Sequence, residues 1–420
     1  MANSLNSNVT RQVARVFLEK FEASRVLTKA VDTQLLNGKF SPRSGSNVDF
    51  KRPHDYNSLR TSGGDISSST KSDIIAGKAT GTVQDYFTVA TEWGNVEEAL
   101  ELDQLDQILA PMATRLVTDL ELDLAKYMIN NGGLSYGSPG TAVSAWSHIA
   151  GAGSLMQSIG VPSGELCYVM NPFTQQALAD AQNGLSAADS LVKTAWEKAK
   201  VSDMFAGMRV MTSNALKSRT SSATTDRAGA VASATATYVA HKDSMIQSIV
   251  VDGFTGDFTA KAGDIVEVTG RNHLSLATRE PIFDATGAKI KFRGVITADA
   301  TITSGEGTLL VAGPAIFEAN GQYNTVDAAL ADGDVITILG TTGAVYQPNL
   351  FFAKQAFGLG SVKLPKLYST DTVATTEDGF SIRVSKYADG DANTQKIRFD
   401  MLPAFATFNP FFAGQGYGVA

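Results

Sequence analysis

The chain has almost no cysteine: Cys167 is the single one in 420 residues. One thiol excludes an internal disulfide framework and suits a reducing compartment. Charge is also sparse, at 18% of residues, with a net value of −7 and no long Lys/Arg run. A dedicated nucleic-acid binder carries at least one basic face, so tight coating of nucleic acid is not expected, although nonspecific contact is compatible with this balance. His54, His148, His241 and His273 are scattered without metal-ligand spacing. No run of about 18 apolar residues exists, so no membrane span is expected. The start, MANSLNSNVTRQVARVF, lacks a basic segment followed by an apolar one and reads as having no secretion signal. A GxSxG elbow is missing, and Gly358-Leu359-Gly360 is not followed by the rest of a nucleotide fingerprint. With no nucleophile–base pair in view, neither an enzyme nor a cofactor is expected.

What the chain does have is one long amphipathic stretch. Leu105, Leu109, Met112, Leu116, Leu120, Leu124 and Met128 recur at spacings of three and four, which places them on one helical face. Glu98, Glu101, Asp103, Asp106, Asp119, Glu121 and Asp123 fill much of the other face. These acids read as a solvated or subunit-facing side rather than a chelating set, because no histidine accompanies them. Pro111 removes a backbone donor and should split or kink the helix near Ala110, leaving a shorter leading helix before a spine at 112–131. Asn131-Gly132-Gly133 ends it. Leu109, Met112, Leu116, Leu120 and Leu124 are the expected core of this spine.

Single cores stop growing beyond roughly 250–300 residues, so several modules are expected. Residues 1–45 read as an arm. One amphipathic helix carries Val9, Val13, Val16, Phe17 and Phe21 on one side, and a second short amphipathic stretch runs from Val26 to Leu36. The arm buries little by itself, and docking on its own domain is the preferred reading. Residues 46–93 read as two strands, around Val48–Arg52 and Val83–Val89, flanking a polar tip to form an extended hairpin. Such a hairpin needs a neighbour to pack on, its own chain or another copy, and its mixed charges, Arg60, Asp65, Lys71 and Asp73 among them, suit ion pairing across a polar interface; an intersubunit contact is one candidate role for this tip.

After the spine, 134–216 reads as an α/β module. It has a helix from Trp146 to Ile159, a buried strand Leu166–Met170, a helix opened by Asn171-Pro172, a helix Ala187–Lys200 and a strand Met208–Met211. The small, polar run 216–237 reads as a linker or exposed loop. Short strands then recur to about Gln347, suggesting a barrel or sandwich inserted at 217–347, with returning strands in 348–420. Asp389-Gly390-Asp391-Ala392-Asn393 imitates the start of a calcium loop with Asp400 at the twelfth place. Thr394 stands where the turn glycine is needed and no Glu closes the loop, so a hairpin turn is the better reading.

Five blocks carry a resemblance: FKRPHDYNSLRTSGGDIS (50–67), ILAPMATRLVTDLELDLAKYMINNGG (108–133), ADAQNGLSAADSLVKTAWEKA (179–199), FGLGSVKLPKL (357–367) and GFSIRVSKYADGDANTQKIRFDMLPAF (379–405). In these blocks the chain resembles tailed-phage major capsid proteins, especially the coat proteins of short-tailed Salmonella- and Shigella-type phages (Lederbergvirus-like podoviruses). The resemblance implies an α+β, Hong Kong-type capsid fold. Its parts would be an N-terminal arm (1–45), an extended loop (46–93), a peripheral domain with the spine helix (94–133), an axial domain (134–216), an inserted all-β barrel-like domain (217–347) and returning strands (348–420).

The resemblance further implies a virion shell protein assembled in the bacterial host cytoplasm. Expected partners are copies of itself in hexamers and pentamers, a scaffolding protein, portal and tail-machine proteins at one vertex, and packaged double-stranded DNA held nonspecifically; no membrane is expected. The arm would be a docking site for the scaffolding partner through Arg11, Arg15 and Lys20, although the same charges equally fit a plain solvated helix. A β-rich surface binding protein or adhesin, with 238–347 as its ligand domain, is the reading from another class; the missing secretion signal counts against it.

Overall fold

The computed structural model describes residues 25–41, 43, 45–94, 105–180, 204–233, 243–368, 371–376, 378–389, 391 and 394–419, together with Arg15 and Glu19. The first arm helix with Arg11 and Lys20, the acids Glu98, Glu101 and Asp103, and the helix expected at 187–200 lie outside the described residues. The chain forms two compact units. The first comprises Met1–Asp49, Thr80–Ala125 and Phe357–Thr407; the second comprises Phe50–Ala79, Lys126–Ala356 and Phe408–Ala420.

Helix α1, Leu105–Asn131, runs without interruption through Pro111. The expected split is therefore corrected. Proline's fixed φ suits a helix; the ring removes the bond that residue 111 would have donated four residues back and crowds that carbonyl, yet the helix continues on both sides of it. Met112, Leu116, Leu120 and Leu124 are buried, as their spacing requires, while the Leu109 side chain lies outside the described residues. The acidic face needs a second correction. Asp119 pairs with Arg115 at 3.0 Å in the exposed (i, i+4) manner, but Glu121 is only 5% exposed.

In the first unit, strands Ser381–Asp389 and Thr394–Met401 form a hairpin in which Asp389 faces Thr394. The described ends of the calcium-like segment, Asp389 and Thr394, thus face each other as paired strand residues, as a hairpin requires. Strands Thr372–Thr375 and Phe87–Gly94 flank this pair to complete a four-stranded antiparallel sheet. Asp400 is fully buried there. Burial alone would raise its carboxyl, but hydrogen bonds from Arg383, Arg398 and Thr88 outweigh that and hold it below its ordinary value. A second sheet has the order Asn47–Lys51, Lys78–Val83, Pro403–Thr407, Phe357–Ser361. Its first two strands are the legs of the extended hairpin, which corrects the second leg from the expected 83–89 to 78–83, since Phe87–Gly94 pairs in the other sheet; residues 52–77 between the legs have no regular secondary structure.

The second unit holds a six-stranded sheet in the order Leu134–Tyr136, Ala413–Gly416, Asn349–Ala353, Leu166–Met170, Met208–Thr212, Met204–Phe205. Leu166–Met170 lies parallel to Met208–Thr212 and is buried along its whole length, which explains why it reads as a continuous apolar run. Helix α2, Trp146–Ile159, buries Ile149, Ala152, Leu155, Met156 and Ile159, packing with Tyr168, Met170, Met208, Val210 and Phe351. Gly160 ends the helix at φ +97°, with its N–H turned back to Met156 and Gln157. Asn171 opens α3, Pro172–Asp180, by accepting from the Phe173 N–H at 2.9 Å.

Strands Ala228–Val231, Ile246–Asp252, Ile265–Asn272, Lys291–Ile296, Gly307–Ala312 and Val335–Ile338 close a barrel. Alternation sets its inside: Gln247, Ile249 and Val251 point in from one strand, joined by Val266, Val268, Phe292, Leu309, Val311, Ile336 and Ile338. The chain enters and leaves through a short antiparallel ladder, Arg219–Thr220 with Val345–Tyr346. The linker reading of 216–237 is corrected for the residues described. Ser221 and Ser222 are buried, Ser222 donates its N–H to Asp264 at 2.9 Å, and Ala228–Val231 is a barrel strand. Small side chains are required here, because a Cβ on Gly229 would come within 2.4 Å of the Phe254 ring.

Candidate assembly surfaces

The extended loop leaves its sheet at Arg52. Here the chain must turn away from the ladder, and Phe50 packs edge-on against Phe408 with ring centroids 5.4 Å apart. The Arg52 guanidinium donates to the carbonyls of Lys78 at 3.1 Å, Asp243 at 3.4 Å and Phe408. Burial pulls its pKa down to about 10, against the opposing pull of Asp243. Arg52 N–H also bonds the Gly77 carbonyl at 2.8 Å, and His54 Nδ1 lies 2.9 Å from the Ile75 carbonyl, so the two legs are tied together at the base.

Further out, the legs meet the barrel. Asp55 pairs with Arg279, and its N–H donates to the Tyr323 hydroxyl at 2.8 Å. Asn57 Nδ2 donates to the Asn320 carbonyl at 2.6 Å, and Gln322 Nε2 donates to the Asp73 carbonyl at 2.6 Å. A partly exposed pair such as Asp55–Arg279 contributes roughly 0–1 kcal/mol, so this is a set of light contacts. Arg279 and Asn320 adopt φ of +58° and +59°. Left-handed backbone disfavours an arginine by roughly 1–2 kcal/mol, and surrounding bonds hold it: Arg279 N–H to the Ser275 carbonyl at 2.8 Å and Arg279 Nη1 to the Asn324 carbonyl at 2.8 Å.

The tip carries the four charges singled out from the sequence. Arg60 is exposed. Asp65 accepts from the Ser67 N–H at 2.8 Å, and that bond holds its carboxyl below the ordinary value. Lys71 Nζ donates to the Ile66 carbonyl at 3.2 Å, and Asp73 contributes its backbone carbonyl to the barrel contact above. Asp65 and Lys71 therefore shape local turns. The apolar residues of the loop are as prominent as its charges: Tyr56, Leu59 and Ile66 are exposed, and Ile74 is 77% exposed.

The arm forms a second contact set within the first unit. The amphipathic stretch at 26–36 is one 3-10 turn, Leu27–Lys29, followed by a parallel bridge between Asp32 and Gly358. Asp32 N–H donates to the Phe357 carbonyl at 3.1 Å and its carbonyl accepts from Leu359 at 2.8 Å, so the arm extends the edge of a sheet. Gly360 permits this approach, since a Cβ there would fall 2.5 Å from Leu36 Cβ. Glu121 of α1 receives the N–H of Val26, and the N–H and hydroxyl of Thr28 at 3.3 Å each. Arg25 pairs with Asp378 at 2.6 Å and lies 4.5 Å over the Phe380 ring. Arg15 is exposed in helical geometry; Arg11 and Lys20 lie outside the described residues.

Sequence reasoning missed Glu121, Arg25, Arg279 and the 320–323 turn. None of them carried a local signal; Glu121 was read as one of the solvated acids of the helix. Cys167 lies buried in the six-stranded sheet, where burial raises its thiol pKa, consistent with inert core.

The family model described as "P22 coat protein - gene protein 5" matches residues 1–418. A major capsid protein of Acyrthosiphon pisum secondary endosymbiont phage 1 is 45% identical over 424 residues, covering 100% of both chains. Among solved structures, that of Mycobacterium phage Che8 aligns with a TM-score of 0.43 and 12% identity, covering 88% of this chain and 84% of its own. The capsid of cyanophage P-SCSP1u aligns with a TM-score of 0.42 and 12% identity, covering 93% and 88%.

Proposed function

Because this chain belongs to the P22 coat protein family and is a phage major capsid protein, we propose that its copies close head to tail into hexamers and pentamers that build an icosahedral shell around double-stranded DNA. Closed rings from one repeated heterologous contact are the economical route to such a shell. The observation that carries this reading is the extended loop. Its legs are fastened, while Tyr56, Leu59, Ile66 and Ile74 stand exposed along it. Apolar groups gathered on a projecting segment mark a surface awaiting a partner, and a neighbouring copy is the partner available to a capsid protein at high local concentration.

In the same reading the fold is of the Hong Kong type. The arm is residues 1–45, the extended loop 46–93, the peripheral domain begins at the spine, and the barrel is an insertion at 217–347. The paired entry and exit strands at 219–220 and 345–346 support the insertion. Scaffolding protein would meet the arm around Arg15, portal and tail proteins would occupy one vertex, and DNA would be touched weakly and nonspecifically, since a net charge of −7 opposes tight binding to a polyanion. Assembly would take place in the host cytoplasm, and the nearest phage grouping would be the Lederbergvirus-like podoviruses. The adhesin reading is set aside, because the family match runs along residues 1–418.

Deletion of Arg60–Ser72 tests the role of the loop. The expected product is a folded subunit by circular dichroism and size-exclusion chromatography that forms no closed shells under the electron microscope. Intact shells from the deletion would remove the loop from the intersubunit contact.

A further inference from the structure

We infer that the barrel is the positioning element of the extended loop: Arg279, Asn320, Gln322 and Tyr323 form a releasable latch that sets the pose of the loop in the free subunit. This rests on reading the loop as an assembly element and gives the barrel a defined part in that function. The named contacts fall beyond the strand legs, at Asp55 and Asn57 on one side of the loop and at Asp73 at the far end of the tip. The tip between them is left to other partners.

The two sides of the latch are built differently. On the barrel side, Asn324 closes the 318–324 turn on itself, accepting from the Glu318 N–H and donating to the Glu318 carbonyl, each at 2.8 Å. Arg279 is held in turn by the Asn324 carbonyl, and the left-handed backbone at Arg279 and Asn320 fixes where their polar groups point. This shape does not depend on the loop. On the other side, residues 52–77 have no ladder of their own. Losing the latch should therefore free the loop and leave the barrel intact.

The contact is also made to let go. A cleft of about 830 Å³ lies between the legs and the barrel turns, lined by groups such as Asn57, Lys71, Asp73, Arg279, Glu318 and Gln322. Polar point contacts around such a cleft can be exchanged for water or for a neighbour's groups without uncovering an apolar core. The latch thus biases the loop toward one pose and does not trap it there.

Hydrogen–deuterium exchange on the full, unassembled chain tests this. In the double variant Arg279→Ala with Tyr323→Phe, amide exchange across 53–75 is expected to rise about tenfold, as for a segment moved to the low-stability end of local opening. Exchange in the strands 246–252 and 307–312 and the thermal midpoint should stay at parent values. The charge exchange Asp55→Arg with Arg279→Asp should restore protection relative to either single change. Unchanged loop exchange in the double variant would overturn the latch. Equal acceleration in the barrel strands would overturn it too, by making these residues merely structural. Assembly plays no part in the measurement, so its failure is separable from a failure of the loop-deletion result.

Discussion

Glu121 stands in a helix face crowded with acids, yet its carboxylate is buried and spoken for by Val26 and Thr28. Glu121→Ala would strand the buried Thr28 N–H away from water. Leaving buried donors unsatisfied costs about 1–3 kcal/mol, so the unfolding free energy should fall by that much, read as a lower denaturant midpoint with an unchanged slope. A shift within about 0.5 kcal/mol, as for an ordinary surface change, would return Glu121 to the solvated face.

His273 gives the residue scale its pH dependence. It is buried against Phe292 and Phe411, with the Arg293 N–H approaching Nε2 at 3.4 Å, and burial lowers its pKa to about 4. The unfolded chain protonates this histidine near pH 6.5 and the folded one does not, so the unfolded state binds more protons between the two values. The folded-state advantage is full above about pH 6.5 and declines as pH falls toward 4, by on the order of 3 kcal/mol for this group. His273→Phe should flatten that part of the stability profile, measured by chemical denaturation from pH 7 to 4.5. A profile as steep as the parent's would assign the acid sensitivity elsewhere.

At the scale of elements, α1 is the most exposed to test. Leu116 is 1% exposed, and an unpaired carboxylate in its place costs several kcal/mol. Leu116→Asp should yield no soluble folded subunit; normal yield and normal particles would contradict the spine. Elements that bury one apolar stripe or run were legible in the sequence: α2 and the strand Leu166–Met170 have their expected bounds. Ala228–Val231 was not legible, because small residues that suit a crowded barrel wall look the same as a flexible linker. Pro111 misled in the other direction, since a proline signals a break while a long, well-packed helix can lose one bond and continue. The light, long-range contacts of the extended loop left no local signal at all. Asp55 and Arg279 are far apart in sequence, and nothing in either neighbourhood names the other.

For the whole molecule, two designs coexist in one chain. The barrel, the six-stranded sheet and α2 bury continuous apolar cores. The extended loop carries exposed apolar and charged groups on a segment with little structure of its own. In the proposed function, such a subunit stores its folding free energy in the cores and offers the extended loop to other copies, so that many modest contacts would sum to a stable shell. The most direct measurement of that claim is electron microscopy of the full chain, expressed alone and together with the proposed scaffolding partner. Closed shells of uniform diameter built from rings of this subunit are the predicted result. Well-folded subunits that remain single particles under every assembly condition would contradict it.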